Sequence, residues 1–181
     1  PGDGNQTYVA KSYDQDNERT KLTFVQSVEA NLFKGLVLRA SASWYYFHTV
    51  EENMRKDYET VPGQWNRTRS TSASYSRQFS QTYNAVLDYT TTFATSHNLN
   101  VMLGSEFYDQ YNNGFSASGF GASTDDFKKL GLTDAGEGKR SIDSSHSRYR
   151  ILSYFGRLNY DYEGKYLFSG VFRYDGYSSL L

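Results

Sequence analysis

The stretch SYFGRLNYDYEGKYLFSGVFRYDG, residues Ser153–Gly176, carries aromatic rings and charged side chains in nearly equal measure and decides the fold. Along its first half Tyr154 and Leu158 fall on one parity, whereas Arg157 and Asp161 fall on the other. Because successive side chains of a β-strand point to opposite faces, this alternation predicts a strand with one apolar face and one charged face. The function that the sequence predicts depends on whether each face of this strand contacts water, lipid or other protein.

The same alternation recurs along the rest of the chain, with turn signals between the segments. The alternating segments are 22–33, 36–46, 83–93, 99–107, 152–162 and 166–175. The connections Phe33–Gly35, Ala94–Asn98 and Glu163–Lys165 are tight, whereas His48–Thr71 and Tyr108–Ser147 are long and polar. Tight connections that alternate with long ones are typical of an up-and-down meander. The sequence therefore predicts an all-β fold, an antiparallel meander of about six strands.

Charge and composition exclude several classes of protein. The 181 residues include 19 Lys and Arg against 20 Asp and Glu, so no broad positive field recruits nucleic acid. The chain has no cysteine, which excludes disulfides and thiolate metal sites. No apolar run reaches the length of a transmembrane helix. Aromatic residues make up 17% of a chain whose mean hydropathy is -0.71, a combination that the alternating strands of a membrane barrel allow.

The charged residues of the alternating segments all lie on the polar parity. They are Glu29, Arg39, Asp88, Glu106, Arg157, Asp161, Arg173 and Asp175. A single Arg or Lys facing lipid at the bilayer midplane costs about 2–4 kcal/mol, which is enough to enforce such a pattern. We therefore expect the charges to face an aqueous lumen and the rings to face lipid. Arg77, Arg148 and Arg150 lie on the apolar parity, but near the long connections, where a strand can extend beyond the hydrocarbon into water.

A soluble β-sandwich is the alternative, because an apolar face packed on a second sheet would give the same alternation. The difference in loop lengths favours the barrel, and so do alternating segments of ten or more residues, since globular strands average about 5–6. Bacterial barrels begin at about 8 strands. We therefore expect residues 1–181 to be a single segment of a larger barrel.

The last residues resemble a family motif. Residues 153–181, SYFGRLNYDYEGKYLFSGVFRYDGYSSLL, are similar to the barrel motif S-Y-F-G-R-x-N-Y-x-Y-x-x-K-Y-L-x-S, followed by R-x-D-G, of the SusC/RagA family of TonB-dependent outer-membrane transporters. The matching positions are Ser153, Tyr154, Phe155, Gly156, Arg157, Asn159, Tyr160, Tyr162, Lys165, Tyr166, Leu167, Ser169, Arg173, Asp175 and Gly176. FKGLVLRASASW (33–44) and TFATSHNLNVMLGSEF (92–107) resemble earlier hairpins of the family more weakly.

The resemblance implies a complete protein with a barrel of about 22 strands, plugged by an N-terminal domain. It also implies a SusD-like surface lipoprotein as a lid, and import of oligosaccharides or peptides driven through TonB. Neither the plug nor the TonB box is among these residues. Substrate contacts vary between members of the family, so no binding residue can be transferred by position. The location implied is the outer membrane of a Gram-negative bacterium, in contact with its lipid.

Aromatic residues of the long connections are the candidates for contact with substrate or lid. The resemblance puts these connections at the cell surface, and aromatic faces stack on sugar rings and anchor protein interfaces. The candidates are Trp65, Tyr111, Phe115 and Phe120. The alternative is that these rings only pack against their own loops.

The charges of the polar parity offer a second set of candidates. They could line a transport path, or they could form cross-strand ion pairs and contact the plug. Within this set we expect Arg157 to pair with Asp161, and Arg173 to pair with Asp175.

No arrangement of residues predicts an enzyme, a cofactor or a metal site. The histidines are far apart in sequence, and adjacent acids in polar loops usually only face solvent. The residues considered are His48, His97 and His146, with the acidic pairs Glu51-Glu52 and Asp125-Asp126. A secreted β-sandwich that binds carbohydrate is the alternative function, and an extracellular hydrolase is a more remote one.

Overall fold

The computed structural model describes residues 10–180, which form one six-stranded antiparallel sheet and a small hairpin. The strands are β1 Tyr13–Phe33, β2 Leu36–Arg55, β3 Tyr58–Val61, β4 Gln64–Asn66, β5 Ser70–Phe93, β6 His97–Phe120, β7 Arg140–Tyr162 and β8 Tyr166–Leu180. The order in the large sheet is β1-β2-β5-β6-β7-β8, and β3 pairs with β4. The predicted all-β meander of about six strands is confirmed.

The two long connections are shorter than predicted. Much of His48–Thr71 and Tyr108–Ser147 is strand, because β2 continues to Arg55, β6 continues to Phe120 and β7 begins at Arg140. The remaining connections hold the β3–β4 hairpin and a short 3-10 helix, Leu130–Leu132. The prediction was wrong here because these strand extensions are polar on both parities, so the hydrophobic signal ends before the backbone pairing does.

The predicted tight turns are confirmed, and Gly35 shows why one of them needs glycine. Its φ of 86° lies in the left-handed region, where a side chain is strained. The Gly35 carbonyl accepts a 2.7 Å hydrogen bond from the Thr90 N–H. A Cβ on Gly35 would lie 2.2 Å from the Thr90 oxygen. The β1–β2 turn therefore packs directly against β5.

Glycine and aromatic residues are paired across neighbouring strands of the motif. Gly156 on β7 lies opposite Phe172 on β8, and a Cβ on Gly156 would come within 2.3 Å of the Phe172 ring. In the same way, a Cβ on Gly104 of β6 would come within 2.3 Å of the Phe155 ring. Each glycine thus leaves the space that a ring on the next strand fills. This packing gives a physical reason for the adjacent Phe155 and Gly156 of the motif.

The apolar side chains of the sheet are exposed rather than packed against a second sheet. Even on interior strands, Leu87 is 40% exposed, Leu103 is 52% exposed and Leu158 is 38% exposed. Among the described residues the only buried hydrophobic side chains are Met54 and Ala122. A β-sandwich would bury its apolar parity between two sheets, so the structure does not support the sandwich alternative.

Contacts within the described residues divide the chain into two compact units. The first unit contains the described part of Pro1–Lys21 with Phe47–Arg77 and Asn112–His146, and the second contains Leu22–Tyr46, Gln78–Tyr111 and Ser147–Leu181 as far as they are described. The first unit holds the hairpin and both long connections, and the second holds the three tight turns. Among residues 10–180 no helix has the length and hydropathy to cross a bilayer.

Candidate functional site

The first unit contains two cavities that include predicted contact residues. Phe115 lines a cavity of about 190 Å³ together with Tyr75, Gly114, Ser116 and Asp143. The Phe115 ring stacks on the Tyr75 ring at 5.5 Å between centroids. The remaining lining residues are serines, so one aromatic pair borders a surface of small hydroxyl side chains.

The second cavity of this unit contains a cation. It measures about 160 Å³ and is lined by Phe120 with Tyr13, Asn53 and Arg55, among others. The Arg55 guanidinium lies 5.0 Å from the centroid of the Tyr58 ring and donates a hydrogen bond to the Tyr58 hydroxyl. The β3–β4 hairpin therefore holds Arg55 in place beside the cavity.

The other two contact candidates lie elsewhere. Trp65 is on β4 and is 54% exposed, with the Arg67 guanidinium 5.9 Å from its ring centroid. Tyr111 is a strand residue of β6 and belongs to the second unit. The prediction that Tyr111, Phe115 and Phe120 lie in a loop is therefore wrong, since β6 contains all three residues. Contact with substrate or lid stays a prediction for all four candidates.

Ion pairs connect the long connections of the first unit. Arg69 makes two hydrogen bonds to the Asp125 carboxylate, at 2.8 and 3.2 Å, and contacts Asp57 at 3.0 Å. The Arg69 hydrogen bonds lower the pKa of Asp125, and Asp125 in turn raises the pKa of Arg69. Lys128 forms ion pairs with Asp16 and, at 3.0 Å, with Asp14.

These Lys128 contacts also shift ionisation. The hydrogen bond from Lys128 lowers the pKa of Asp14, and hydrogen bonds to Asp16 and Asp14 raise the pKa of Lys128. The connection 121–139 is thus fastened both to the start of β1 and to the connection 56–69.

The charged residues of the polar parity in the second unit are largely engaged with each other. Arg39 contacts Glu29 at 2.8 Å. Arg173 contacts Asp175 at 2.9 Å, as predicted, and Glu106 at 3.7 Å. Ser153 also donates a hydrogen bond to Asp175. The Arg173 guanidinium lies 5.6 Å from the centroid of the Phe155 ring.

The predicted pair of Arg157 with Asp161 does not form among the described residues. Asp161 instead accepts hydrogen bonds from the Gly164 N–H at 2.7 Å and from Asn98 at 3.4 Å. The prediction was wrong because Arg157 and Asp161 are four positions apart on β7, which is about 13 Å along a strand. The acceptor is therefore used to close the β7–β8 turn.

A row of hydrogen-bonded polar side chains crosses four strands of the second unit. Asn100 on β6 donates to Asp88 on β5 at 2.9 Å, and Asn159 on β7 donates to Asn100 at 3.4 Å. Ser169 on β8 donates to Asn159 at 2.8 Å. This polar face is hydrophilic enough to line water, which suits the predicted lumen.

Two rows of rings mark the apolar parity of the second unit. One row, here called the Trp44 row, crosses β1, β2, β5 and β6 with centroid distances of 5.6, 5.9 and 6.4 Å between Phe24, Trp44, Tyr83 and Phe107. The other, the His97 row, has distances of 5.0, 4.7 and 6.3 Å between Phe93, His97, Tyr162 and Tyr166.

The spacing of the two rows fits a bilayer. Tyr83 and Phe93 are ten positions apart on β5, as are His97 and Phe107 on β6. Ten strand residues span about 33 Å, and a tilt of about 45° reduces the height to about 23 Å. Membrane barrels have an apolar band about 25 Å tall between two aromatic girdles. The exposed side chains between the rows, including Leu87, Leu103 and Leu158, are here called the apolar band.

A charged cluster follows the Trp44 row directly. Asp109 is two residues after Phe107, and its side chain is only 6% exposed. It accepts hydrogen bonds from Arg148 at 2.9 and 2.5 Å, and Arg150 approaches it at 3.5 Å. The sequence predicts that Arg148 and Arg150, which lie on the apolar parity, are near the long connections. In the structure both arginines contact the buried Asp109.

Two of the histidines, His48 and His97, make ring contacts. His48 lies 6.0 Å from the Tyr75 ring, and His97 Nδ1 is 2.6 Å from the Tyr160 hydroxyl. Among residues 10–180 no group of three or more His, Asp or Glu side chains is arranged to hold a metal ion.

Sequence reasoning missed the Arg55 cavity and the Asp109 cluster. Ser72, Ser74 and Ser76 alternate along β5, and Ser116 and Ser118 continue this spacing on β6. That serine spacing was a signal that the strands continue beyond the hydrophobic segments. No comparable signal could identify Asp109, since its partner Arg148 is 39 positions away in the sequence and comes close only through the pairing of β6 with β7.

No protein-family model matches the chain. A part of 92 residues, 51% of the chain, is 29% identical to the curated protein "TonB-dependent receptor P26" of Formosa agariphila and covers 9% of it. The solved RagAB peptide transporter matches with a TM-score of 0.83 and 21% identity, over 95% of this chain and 19% of that chain. The RagAB peptide importer in its open-open and closed-closed states matches with a TM-score of 0.83 and 22% identity.

The chain thus spans 9% of the curated relative and 19% of the solved chains. The similarities confirm the predicted resemblance to TonB-dependent transporters of the SusC/RagA type, together with the all-β barrel fold. They also confirm the predicted location in the outer membrane. The proteins matched are named as a receptor and as transporters.

Proposed function

We propose that this chain forms part of the barrel wall of a SusC-like, TonB-dependent importer. The complete protein carries a plug and a TonB-binding segment outside these residues and works with a SusD-like surface lipoprotein. Its cargo is an oligosaccharide or a peptide, which it passes across the outer membrane without chemical change. Energy comes through TonB.

One observation carries this proposal. The chain matches the RagAB transporter over 95% of its length with a TM-score of 0.83, and the apolar band of its sheet is exposed between two aromatic rows. In water such a band would be a large exposed apolar surface with no partner, whereas in a bilayer it contacts the hydrocarbon chains of the lipids. The polar face, with its ion pairs and amide row, then borders the interior of the barrel.

The contact candidates fit this role by their exposure. Trp65, Phe115 and Phe120 are exposed rings of the first unit, and two of them line cavities with hydroxyl or cationic neighbours. Rings of this kind stack on sugars and anchor partner proteins. Tyr111 is the fourth candidate and belongs to the second unit. Charges of the polar face, such as Arg39, Arg173 and Asp175, contact the plug or line the path.

The test is uptake by cells that carry the complete protein. Fluorescent peptides and oligosaccharides are offered separately, with and without a protonophore that collapses the inner-membrane gradient. We expect one class of cargo to accumulate in the periplasm, and we expect the protonophore to stop its accumulation. Removal of the TonB-binding segment from the full-length protein should have the same effect.

A Trp65→Ala variant examines the contact candidates, with Phe127→Ala as the matched control, since Phe127 is also an exposed ring of the same unit. We expect the Trp65 variant to lower cargo affinity or lipoprotein co-purification several-fold and the control to change neither. Accumulation that continues unchanged without the gradient, or that is absent for both kinds of cargo, contradicts the proposed function.

A further inference from the structure

The apolar band ends at the same level on three neighbouring strands. Two residues beyond Phe107 comes Asp109, and two residues beyond Tyr83 comes Gln81. On β7 the residues of the same parity that precede Leu152 are Arg150 and Arg148. Side-chain contacts confirm that these residues meet across the strands, since Gln81 donates to Asp109 at 3.4 Å and both arginines approach Asp109. The change from apolar to charged is therefore a line across the sheet.

This line lies where a bilayer changes from hydrocarbon to headgroups. Aromatic rings in membrane proteins gather at the interface, and the Trp44 row adjoins the charged cluster on the apolar parity. Trp44 Nε1 donates to the Tyr83 hydroxyl at 3.3 Å, and that hydroxyl donates to Gln81 at 3.1 Å. The polar atoms of the Trp44 row therefore point toward the charged cluster. Tyr and Trp side chains take this orientation at a membrane interface, where the ring contacts hydrocarbon and its polar atom contacts water.

The cluster carries an excess positive charge with a fixed geometry. Asp109 neutralises one of two arginines, which leaves a net charge of one unit. The Arg148 and Arg150 side chains are 41% and 49% exposed, whereas Asp109 is buried beneath them. Within the described residues Arg150 makes only its 3.5 Å contact through Nε, so its terminal amino groups are available. A planar guanidinium held in this way suits a phosphate group.

We propose that Arg148 and Arg150 form a site for the phosphate of a lipid headgroup at this end of the apolar band. Asp109 positions the two guanidiniums, and the Trp44 row contacts the acyl chains of the same lipid. Charge complementarity and the adjoining apolar band identify the occupant as a lipid rather than a soluble anion. The site depends on the membrane location of the band and not on the cargo, so its failure leaves the transport function untouched.

The test uses the complete transporter, purified in detergent and freed of lipid. Native mass spectrometry gives dissociation constants for a short-chain phosphatidic acid, for the diacylglycerol that lacks only its phosphate, and for inorganic phosphate. We expect phosphatidic acid to bind most tightly. Because one interfacial arginine contributes about 1 kcal/mol, Arg150→Gln should weaken that binding about fivefold.

Two further variants keep the test decisive. Arg157→Gln removes an arginine from the other parity of the same strand and should leave lipid affinity unchanged. Arg150→Lys keeps the charge but loses the planar guanidinium, so its affinity for phosphatidic acid should lie between those of the unchanged protein and of Arg150→Gln; this graded loss covers the case in which the glutamine variant fails to assemble. Equal affinity for the two lipids, no effect of Arg150→Gln, or inorganic phosphate binding as tightly as phosphatidic acid would each overturn the proposal.

Discussion

The two units of this chain are built on different rules, although the same strands supply both. In the second unit most side chains of one parity are apolar and many of them are exposed, such as Leu87, Leu103 and Leu158, and the opposite parity is joined by ion pairs and amide hydrogen bonds. In the first unit serines alternate along the strands, and the connections are fastened by Arg69 and Lys128. The comparison indicates that a strand facing lipid must alternate apolar and polar side chains, whereas a strand facing water on both sides can carry polar side chains on both parities.

The largest effect should come from charging the apolar band. Leu158→Arg puts a guanidinium into lipid, and we expect it to lower the free energy of unfolding by about 2–4 kcal/mol. Ile142→Arg is the matched control, because Ile142 on the same strand is 82% exposed but belongs to the first unit. It should change that free energy by less than about 0.5 kcal/mol. Urea titration of the complete protein in vesicles measures both, and equal costs would remove the distinction between the units.

A second prediction concerns glycine. Gly156→Ala places a Cβ 2.3 Å from the Phe172 ring, and overpacking of this kind costs about 1–3 kcal/mol. Gly131→Ala is the control in the first unit, since no heavy atom lies within 4 Å of its added Cβ. Unfolding in urea should separate the two variants. If the clash is the cause, adding Phe172→Ala should recover part of the loss, and a purely additive double variant would contradict the pairing.

The sequence predicts the second unit well and the first unit poorly, for physical reasons. Leu158 and Arg157 fall on opposite parities because lipid and water lie on opposite sides of one sheet, and that constraint is readable residue by residue. Ser116 and Phe115 carry no such constraint, since both faces of their strand are polar or wet. Backbone pairing continues there without a hydrophobic signal, which is why β6 and β7 extend into segments expected to be loops.

Some candidate sites could be predicted from the spacing of residues on one strand, whereas others depend on contacts between strands. Arg173 and Asp175 are neighbours on one face of a single strand, so their ion pair could be predicted from spacing alone. The cluster of Asp109 with Arg148 and Arg150 could not, because it depends on the register between β6 and β7. The cavity at Arg55 also needs the β3–β4 hairpin, whose Tyr58 holds the guanidinium.

A smaller effect should distinguish two arginines of the polar face. Arg173→Leu removes contacts to Asp175, Glu106 and Phe155 and should lower the stability by a small but measurable amount, because exposed ion pairs contribute little. Arg157→Leu should cost less, because Arg157 has no hydrogen bond or ion pair in the described part of the chain. Both variants are compared by urea unfolding of the complete protein and by heat-resistant mobility on gels. A greater loss for Arg157 would point to a partner outside the described residues.

The smallest effect is expected from acid, and only in the first unit. The pKa values of Asp14 and Asp125 are lowered below 3.8, chiefly by hydrogen bonds from Lys128 and Arg69. Their contribution to stability is therefore present above pH 3.8 and is lost as the pH falls through the lowered values. The pKa of Lys128 is raised above 10.5, so its contribution is complete below that pH and is lost as the pH rises through the raised value. The fastening of the connection 121–139 should accordingly hold from about pH 4 to about pH 10.

Hydrogen exchange of the complete protein, corrected for the intrinsic rate, measures this fastening. Between pH 7 and pH 3 we expect protection of residues 121–139 to fall, while protection of 152–158 falls less, because no ion pair in the described part of the chain holds that segment. Lys128→Gln should reproduce part of the acid effect already at pH 7, since it removes the partner of both Asp14 and Asp16. Lys34→Gln is the control, because Lys34 lies in the tight β1–β2 turn of the second unit. Equal loss of protection in both segments would mean that acid unfolds the strands generally. That result would contradict the claim that ion pairs stabilise the connection 121–139 of the first unit whereas lipid contact stabilises the strands of the second unit.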